Sequence, residues 1–338
     1  MGIEDGIVLP ARRLLCTGAL LAMFGVLLAA CGSAAPTKVT IAGVMADTSD
    51  PYFITMQCGA EAAAKALHVK LTWQGPTLID TPAEVATLST VELTKPSGIV
   101  LMAFSPTAFV AQVKKLMSGG TPVVLPDGSL SSKVAYQNIV TDTTQAGDLL
   151  AKELSGEVGA HGTIAIIAAT ASDPVDRSRW TGFVSVMKKA HPGVTILPVQ
   201  YASADANTAA SDTVALLEAH PNINAIYATD GPDGEGVVAG LKSVHKVGIV
   251  KVVAFDATPE EVSDVKAGYI TGLVAQAPFQ KGYDAVHTLV SYIRSHKAGA
   301  SVSPAHDYFP TTPVKFITRA NVNNPSSLPF EYRSSCPS

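Results

Sequence analysis

Charge is scarce in this chain of 338 residues. Charged residues make up 15% of it and the net charge is −4. No run of lysines and arginines forms a basic patch, which excludes the electrostatic footprint of a nucleic-acid-binding surface. The pairs Lys114–Lys115 and Lys188–Lys189 read as solvated helix faces. Histidine is thin and dispersed: the eight residues include no pair spaced four apart, so no helical metal-ligand pair exists and no metal is expected. Catalytic signatures are missing too. There is no Gly-x-Ser-x-Gly, no His-Glu-x-x-His and no phosphate-cradling Walker loop. The stretch "GPDGEG" at 231–236 lacks the Lys-Ser/Thr of such a loop and reads as a turn and helix start. "DANTAASDTVALLE", from Asp205, lacks the central glycine of a calcium loop and reads as a capped helix. No cofactor is expected.

Cysteine is also sparse, with four residues. Arg12 and Arg13 precede the apolar run "LLCTGALLAMFGVLLAA", which is near the lower limit for spanning a membrane. The run ends in "LAAC", Leu28 to Cys31, which resembles a bacterial lipobox. That resemblance implies a signal peptide over 1–30, cleavage before Cys31, a diacylglyceryl anchor on its sulfur and a tether over 31–37. The protein would then be extracytoplasmic and held at the cell membrane; an uncleaved membrane helix is the alternative. Cys16 leaves with the signal, so Cys58 and Cys336 remain in an oxidising compartment. Two leftover cysteines in an exported chain point to a bridge between them, against the alternative of a buried Cys58 and a free tail thiol.

Beyond the tether, apolar runs of strand length alternate with amphipathic segments of helix length. Ten such runs are read as strands, among them "KVTIAGVMA", "GIVLMAF", "TIAIIAAT", "AIYATD" and "VKVVAFD". Helices are expected over 53–67, 81–95, 107–118, 143–157, 176–190, 207–219, 233–244, 259–267 and 280–297. Near-continuous Val/Ile/Ala runs mean strands covered on both faces, and strand–helix alternation means parallel sheets with right-handed crossovers. Ten strands exceed one compact sheet. The expected fold class is therefore α/β, with two doubly wound parallel-sheet lobes.

Asp47, Asp127, Asp142, Asp230 and Asp256 each fall at or just past the end of an expected strand. Any one of them alone reads equally as a helix N-cap. Five together point to a shared cleft, because open parallel sheets bind ligands outside the carboxyl ends of their strands. "TSDPYF", Thr48 to Phe53, adds two adjacent rings at such an end. Asp50 and Pro51 there suit a helix start, and Tyr52 or Phe53 is expected to face the cleft as well.

Over about residues 38–320 the chain resembles the periplasmic sugar-binding proteins of ABC importers, type I, ribose-binding branch. The most specific stretch is "VKVVAFDATPEEVSDVKAGYITGLVAQAP"; "SDPYF", "TPVVLPD", "RWTGF" and "AIYATDGPDGEGVVAGL" support it, and "WQGPTLIDTPAEV" is similar to the rhamnose and furanosyl-signal branch. The resemblance implies that Asp50, Ser105, Asp127, Arg179, Asp230, Asp256 and Gln276 bond ligand hydroxyls and that Tyr52 and Phe53 stack on the ligand. Two positions depart from the family. Gly128 follows Asp127 where arginine is common, and a small residue near Ala204 replaces an opposing aromatic, a gap that Trp180 or Phe104 is available to fill although both read first as core.

The chemistry fits a neutral polyhydroxyl ligand. Carboxylates accept vicinal hydroxyl hydrogens, arginine donates a planar fork, and rings cover the C–H face. An excess of acid would also suit an amine; Arg179 and Gln276 rank a sugar or polyol first. The resemblance implies a hinge between an N-terminal lobe (38–142 and 277–305) and a C-terminal lobe (143–276 and 306–322), followed by a tail over 323–338. Crossings are expected near Thr141–Thr143, Gln276–Pro278 and His306–Tyr308. Closure on the ligand would let a monomer dock on a membrane permease, the lipid anchor raising its local concentration. The same cleft would serve a receptor for signalling or chemotaxis, and strand-end acids would serve a lipid-anchored hydrolase. The lipobox and the lack of an N-terminal helix-turn-helix set aside a repressor built on the same lobes.

Overall fold

The computed structural model describes residues 38–159 and 161–337. The segment read as signal peptide and tether, with Cys31, lies outside the described residues.

The first stretch alternates β1 (Thr40–Val44), α1 (Pro51–Leu67), β2 (Lys70–Gln74), α2 (Thr81–Leu93), β3 (Gly98–Leu101), α3 (Val110–Ser118), β4 (Val123–Pro126) and β5 (Gln137–Thr141). The second runs through α4 (Thr143–Val158), β6 (Thr163–Ala168), α5 (Pro174–Ala190), β7 (Thr195–Ile196), β8 (Gln200–Tyr201), α6 (Ala206–Ala219) and β9 (Ile223–Ala228). It continues with α7 (Gly231–Ser243), β10 (Lys251–Phe255), α8 (Pro259–Ala267) and β11 (Gly272–Ala275). The last elements are α9 (Pro278–Ser295), β12 (Thr311–Thr312), β13 (Lys315–Thr318) and a short 3-10 turn at Leu328–Phe330.

The strands form two sheets, ordered β12-β5-β4-β3-β1-β2 and β13-β11-β10-β9-β6-β7, with β8 also on β6. All pairings within them are parallel except β11 with β13. The α/β fold with two doubly wound sheets is thus the one the alternation predicts. Strands β3, β4, β6 and β11 are buried at every position, as sheets with helices on both faces require.

Helix starts follow from aspartate chemistry. Asp50, Asp80, Asp142, Asp173, Asp205 and Asp230 accept backbone N–H bonds at the N-termini of α1, α2, α4, α5, α6 and α7. Each such cap stabilises its helix by about 0.5–2 kcal/mol. Thr258 and Glu261 close a reciprocal capping box on α8. Asp50 and Asp173 precede a proline and Asp230 precedes Gly231-Pro232, which is why α1, α5 and α7 begin two residues ahead of the periodic pattern.

Helix α9 packs on α1 at very short range. A Cβ on Gly59 would lie 1.9 Å from the Phe279 carbonyl oxygen, and one on Gly282 would lie 1.9 Å from that of Met56. Only glycine permits this approach, and it sets the register of the residue before Gly282, Lys281.

One sequence expectation needs correction. The third crossing between the sheets is not at His306–Tyr308. The backbone of 308–312 runs along β5, with Asn138 N–H donating to Tyr308 O at 2.8 Å and Val140 N–H to Pro310 O at 2.9 Å. Strand β12 therefore belongs to the first sheet, and the chain crosses between Thr312 and Lys315. The bridge expected between the two remaining cysteines is present: a disulfide joins Cys336 of the segment after 323 to Cys58 on α1, with the Cα atoms 5.1 Å apart.

Candidate functional site

A cavity of about 370 Å³ lies beyond the carboxyl ends of the strands of both sheets, within the range of small-molecule sites. Asp50, Tyr52, Phe53, Asp127, Arg179, Asp230, Asp256 and Gln276 all line it. Eight of the nine residues singled out from the sequence are thereby brought together. Ser105 stands outside; its hydroxyl accepts the Ala108 N–H at 3.3 Å and caps a turn instead. Asp47 and Asp142 are outside as well. Asp47 accepts the Ser49 N–H at 2.6 Å, and Asp142 accepts that of Gln145 at 3.0 Å, so both act as local caps.

Asp127 and Asp256 occupy matching places. Each follows a strand, β4 or β10, with a left-handed φ of 73° or 88°, uncommon for a residue with a side chain and tolerated by aspartate. The N–H of each is tied to the neighbouring strand, Asp127 to Ile139 O at 2.8 Å and Asp256 to Val274 O at 2.9 Å. The turn throws both carboxylates into the cavity. Gly128 accounts for the first departure from the family: a Cβ there would lie 2.5 Å from the Ala103 N, so no arginine fits after Asp127.

Asp50 and Asp230 combine capping with exposure to the cavity. One carboxylate oxygen of each accepts a helix N–H, that of Tyr52 at 2.7 Å and that of Asp233 at 2.9 Å. Burial pushes Asp50 up to about 7, with Asp256, Asp47 and Asp230 adding repulsion. Burial likewise raises Asp230 to about 6. Burial and the adjacent Asp230 raise Asp233 to about 10, so Asp233 keeps its proton near neutral pH.

Arg179 is the cation on the cavity wall. Its Nη1 donates to Thr229 O at 2.8 Å, its guanidinium lies 4.3 Å from the centre of the Phe255 ring, and its Nη2 stands 3.9 Å from Asp127 Oδ2. The last contact runs from the second lobe to the first. Burial opposes the charge, but Asp256, Asp127 and Asp176 outweigh it and hold the guanidinium firmly protonated.

Several residues escaped the sequence reading. Lys281, fully buried on α9, gathers groups from four segments. Its three N–H donors are shared among four acceptors: Asp127 Oδ1, Thr141 Oγ1 at 2.6 Å, Gln276 Oε1 at 2.9 Å and Tyr52 OH at 3.0 Å. Burial presses Asp127 up, yet Lys281 and Arg179 together hold it below the usual carboxylate range. The available signal was spacing: Pro278, Lys281, Gly282, Ala285, Val286 and Leu289 share the buried face of α9. Asp173 and Asp176 also line the cavity. Asp173 takes the N–H groups of Val175 and Asp176, and Asp176 takes Thr229 OH and the Thr170 N–H. Their signal was the repeated "SDP", at 49–51 and 172–174, which opens α1 and α5.

Tyr52 and Phe53 meet edge to face, with ring centres 5.2 Å apart. Opposite them Ala204 lines the cavity without a ring. Phe104 reaches the wall, whereas Trp180 packs in the core of the second lobe.

Comparison with known proteins agrees with this geometry. Residues 41–297 match the family described as periplasmic binding protein domain. The ribose import binding protein of Salmonella typhimurium is 25% identical over 270 residues, 79% of this chain and 88% of that protein. The D-allose-binding periplasmic protein of Escherichia coli is 27% identical over 267 residues, 75% and 84% of the two chains. An ABC transporter solute-binding protein from Agrobacterium vitis, solved with α-D-tagatopyranose, superposes with a TM-score of 0.80 at 28% identity, covering 88% of this chain and all of that one. Two doubly wound sheets, a cavity at their facing strand ends and a match over most of the chain lead to one conclusion: the chain belongs to the periplasmic binding protein family.

Proposed function

We propose that this protein captures a neutral sugar or polyol between its lobes and delivers it to the permease of an ABC importer. The observation that carries this reading is the convergence of Asp127, Arg179, Asp230, Asp256 and Gln276 on one cavity beside Tyr52 and Phe53. Carboxylates there accept hydroxyl hydrogens, Arg179 and Gln276 donate to hydroxyl oxygens, and the two rings cover a C–H face. The relatives named for ribose and allose bear on the same choice.

The acids of the cavity differ in how far protein donors already satisfy them. Asp127 is matched by Lys281 and Arg179. Asp173 and Asp176 are satisfied by N–H and hydroxyl donors. Asp233 beside Asp230 is protonated, and Asp50 titrates about neutral pH. The wall keeps a net negative charge, and the donors Arg179 and Gln276, which serve hydroxyl oxygens and not an ammonium group, rank a neutral polyhydroxyl ligand first. The reading is of binding without turnover, by a monomer that closes about its hinge on the ligand. Cys31 would carry the lipid anchor that keeps the protein on the extracytoplasmic face, so Cys31→Ser should release it from the membrane fraction.

A thermal-shift screen of sugars, polyols and amines tests the reading. A ligand at one hundred times its Kd adds about 2.7 kcal/mol of stability. A raised midpoint with a neutral sugar or polyol, recovered unchanged afterwards, supports capture. Consumption of the compound would establish an enzyme instead.

A further inference from the structure

The C-terminal segment binds both lobes directly behind the cavity. Tyr332 is buried. Its N–H donates to Ala257 O at 2.9 Å and its hydroxyl donates to Asp256 Oδ1 at 2.7 Å, both in the second lobe. Its ring packs edge-on against Tyr52 of the first lobe, with centres 5.5 Å apart. The following residue, Arg333, donates its N–H to Thr55 Oγ1 on α1 at 2.7 Å. Four residues past the tyrosine, Cys336 is bonded to Cys58, also on α1.

The bonds on Asp256 show what this achieves. Oδ1 accepts both Gln276 Nε2, at 2.6 Å, and Tyr332 OH, whereas among the described residues Oδ2 accepts only the Gly231 N–H, at 3.3 Å. Two short bonds to one oxygen fix the rotation of the carboxylate and turn the other oxygen to the cavity. Tyr332 lies behind Asp256 and does not line the cavity itself.

We infer that Tyr332 is a positioning residue for Asp256, and that the Cys58–Cys336 bridge holds it there as a strap from the first lobe to the ligand-facing acid of the second. The inference rests on Asp256 being a ligand contact, the reading proposed above. The strap itself is independent of which ligand binds. A hydroxyl held on a carboxylate by a covalently anchored segment needs no refolding of the tail each time the lobes move.

The test uses three forms of the protein: Tyr332→Phe, Cys58→Ser/Cys336→Ser and the triple combination. Calorimetry with D-ribose, D-allose and D-tagatose gives affinity, and hydrogen exchange of the ligand-free protein over 253–258 gives order at Asp256. Tyr332→Phe should weaken binding about tenfold with the unliganded melting midpoint unchanged, and should speed exchange. Removing the bridge should reproduce both effects, and adding Tyr332→Phe to it should change neither further. Wild-type affinity and exchange in Tyr332→Phe would overturn the positioning role. Effects that multiply in the triple variant would show that the tyrosine stays in place without the bridge and overturn the strap. If no sugar binds even the wild type, the proposed function fails, while the exchange data still decide the strap.

Discussion

Lys281 and Asp127 form an ion pair sealed from solvent, with the ammonium of α9 against the carboxylate that ends β4. The same ammonium holds Thr141, Gln276 and Tyr52, so one side chain locks together two of the crossings between the sheets and one ring of the site. Removing one member of a buried pair costs about 3–5 kcal/mol because it strands the other charge. Lys281→Met should lower unfolding stability by about that amount, as read by urea titration, and Lys281→Met/Asp127→Asn should recover part of it.

Arg179 bridges the lobes through its contact with Asp127 while a carbonyl and a ring fix its plane. Lysine keeps the charge and loses the fork. Arg179→Lys should therefore weaken sugar binding by about 10- to 100-fold at little cost to stability, measured by calorimetry alongside a melting curve.

Affinity should depend on pH through the two acids that both cap a helix and face the cavity. Asp50 is raised to about 7 and Asp230 to about 6. A ligand hydroxyl donating to either favours the ionised form, so binding lowers both values and releases protons. Affinity should fall about tenfold from pH 8 to pH 6, and Asp50→Asn should flatten the upper part of that change. Titrations in buffers of different ionisation enthalpy report the released proton directly.

Stability should carry a separate signature from Glu84. This residue is buried at the start of α2, and burial pushes its carboxyl up to about 8 from 4.5. The folded state then holds a proton that the unfolded chain gives up. Its contribution is fully present below about pH 4.5 and is lost as pH rises towards 8. Glu84→Gln should be more stable than the wild type by about 3–4 kcal/mol at pH 8.5 and close to it at pH 5, as melting curves at the two values would show.

The fold was legible because its signals are local. Unbroken apolar runs and Asp-Pro or Thr-Pro helix starts recur through the chain, and each strand end with an acid marked a candidate wall of the cavity. What escaped the sequence acts over long separations. Lys281 looks like a surface lysine until its place on the apolar stripe of α9 is weighed, and its partner Asp127 lies 154 residues away. Tyr332 sits beyond the last strand, and nothing near it in sequence points to Asp256, 76 residues earlier. The third crossing was misplaced because 308–312 carries only a two-residue strand, too short for an apolar pattern. Ser105 failed for the opposite reason: a serine at a strand end serves a turn as readily as a ligand.

The most direct test of ligand capture by the strand-end acids is a calorimetric titration of the wild type and of Asp256→Asn with D-ribose, D-allose, D-tagatose and xylitol. Asparagine keeps the left-handed turn and the acceptor facing Tyr332 while replacing the oxygen turned to the cavity. The expected result is one site per chain for at least one of these compounds in the wild type, weakened at least tenfold in the variant with the melting midpoint preserved. Equal binding by both proteins, or no heat from any neutral compound while an amine binds, would contradict it.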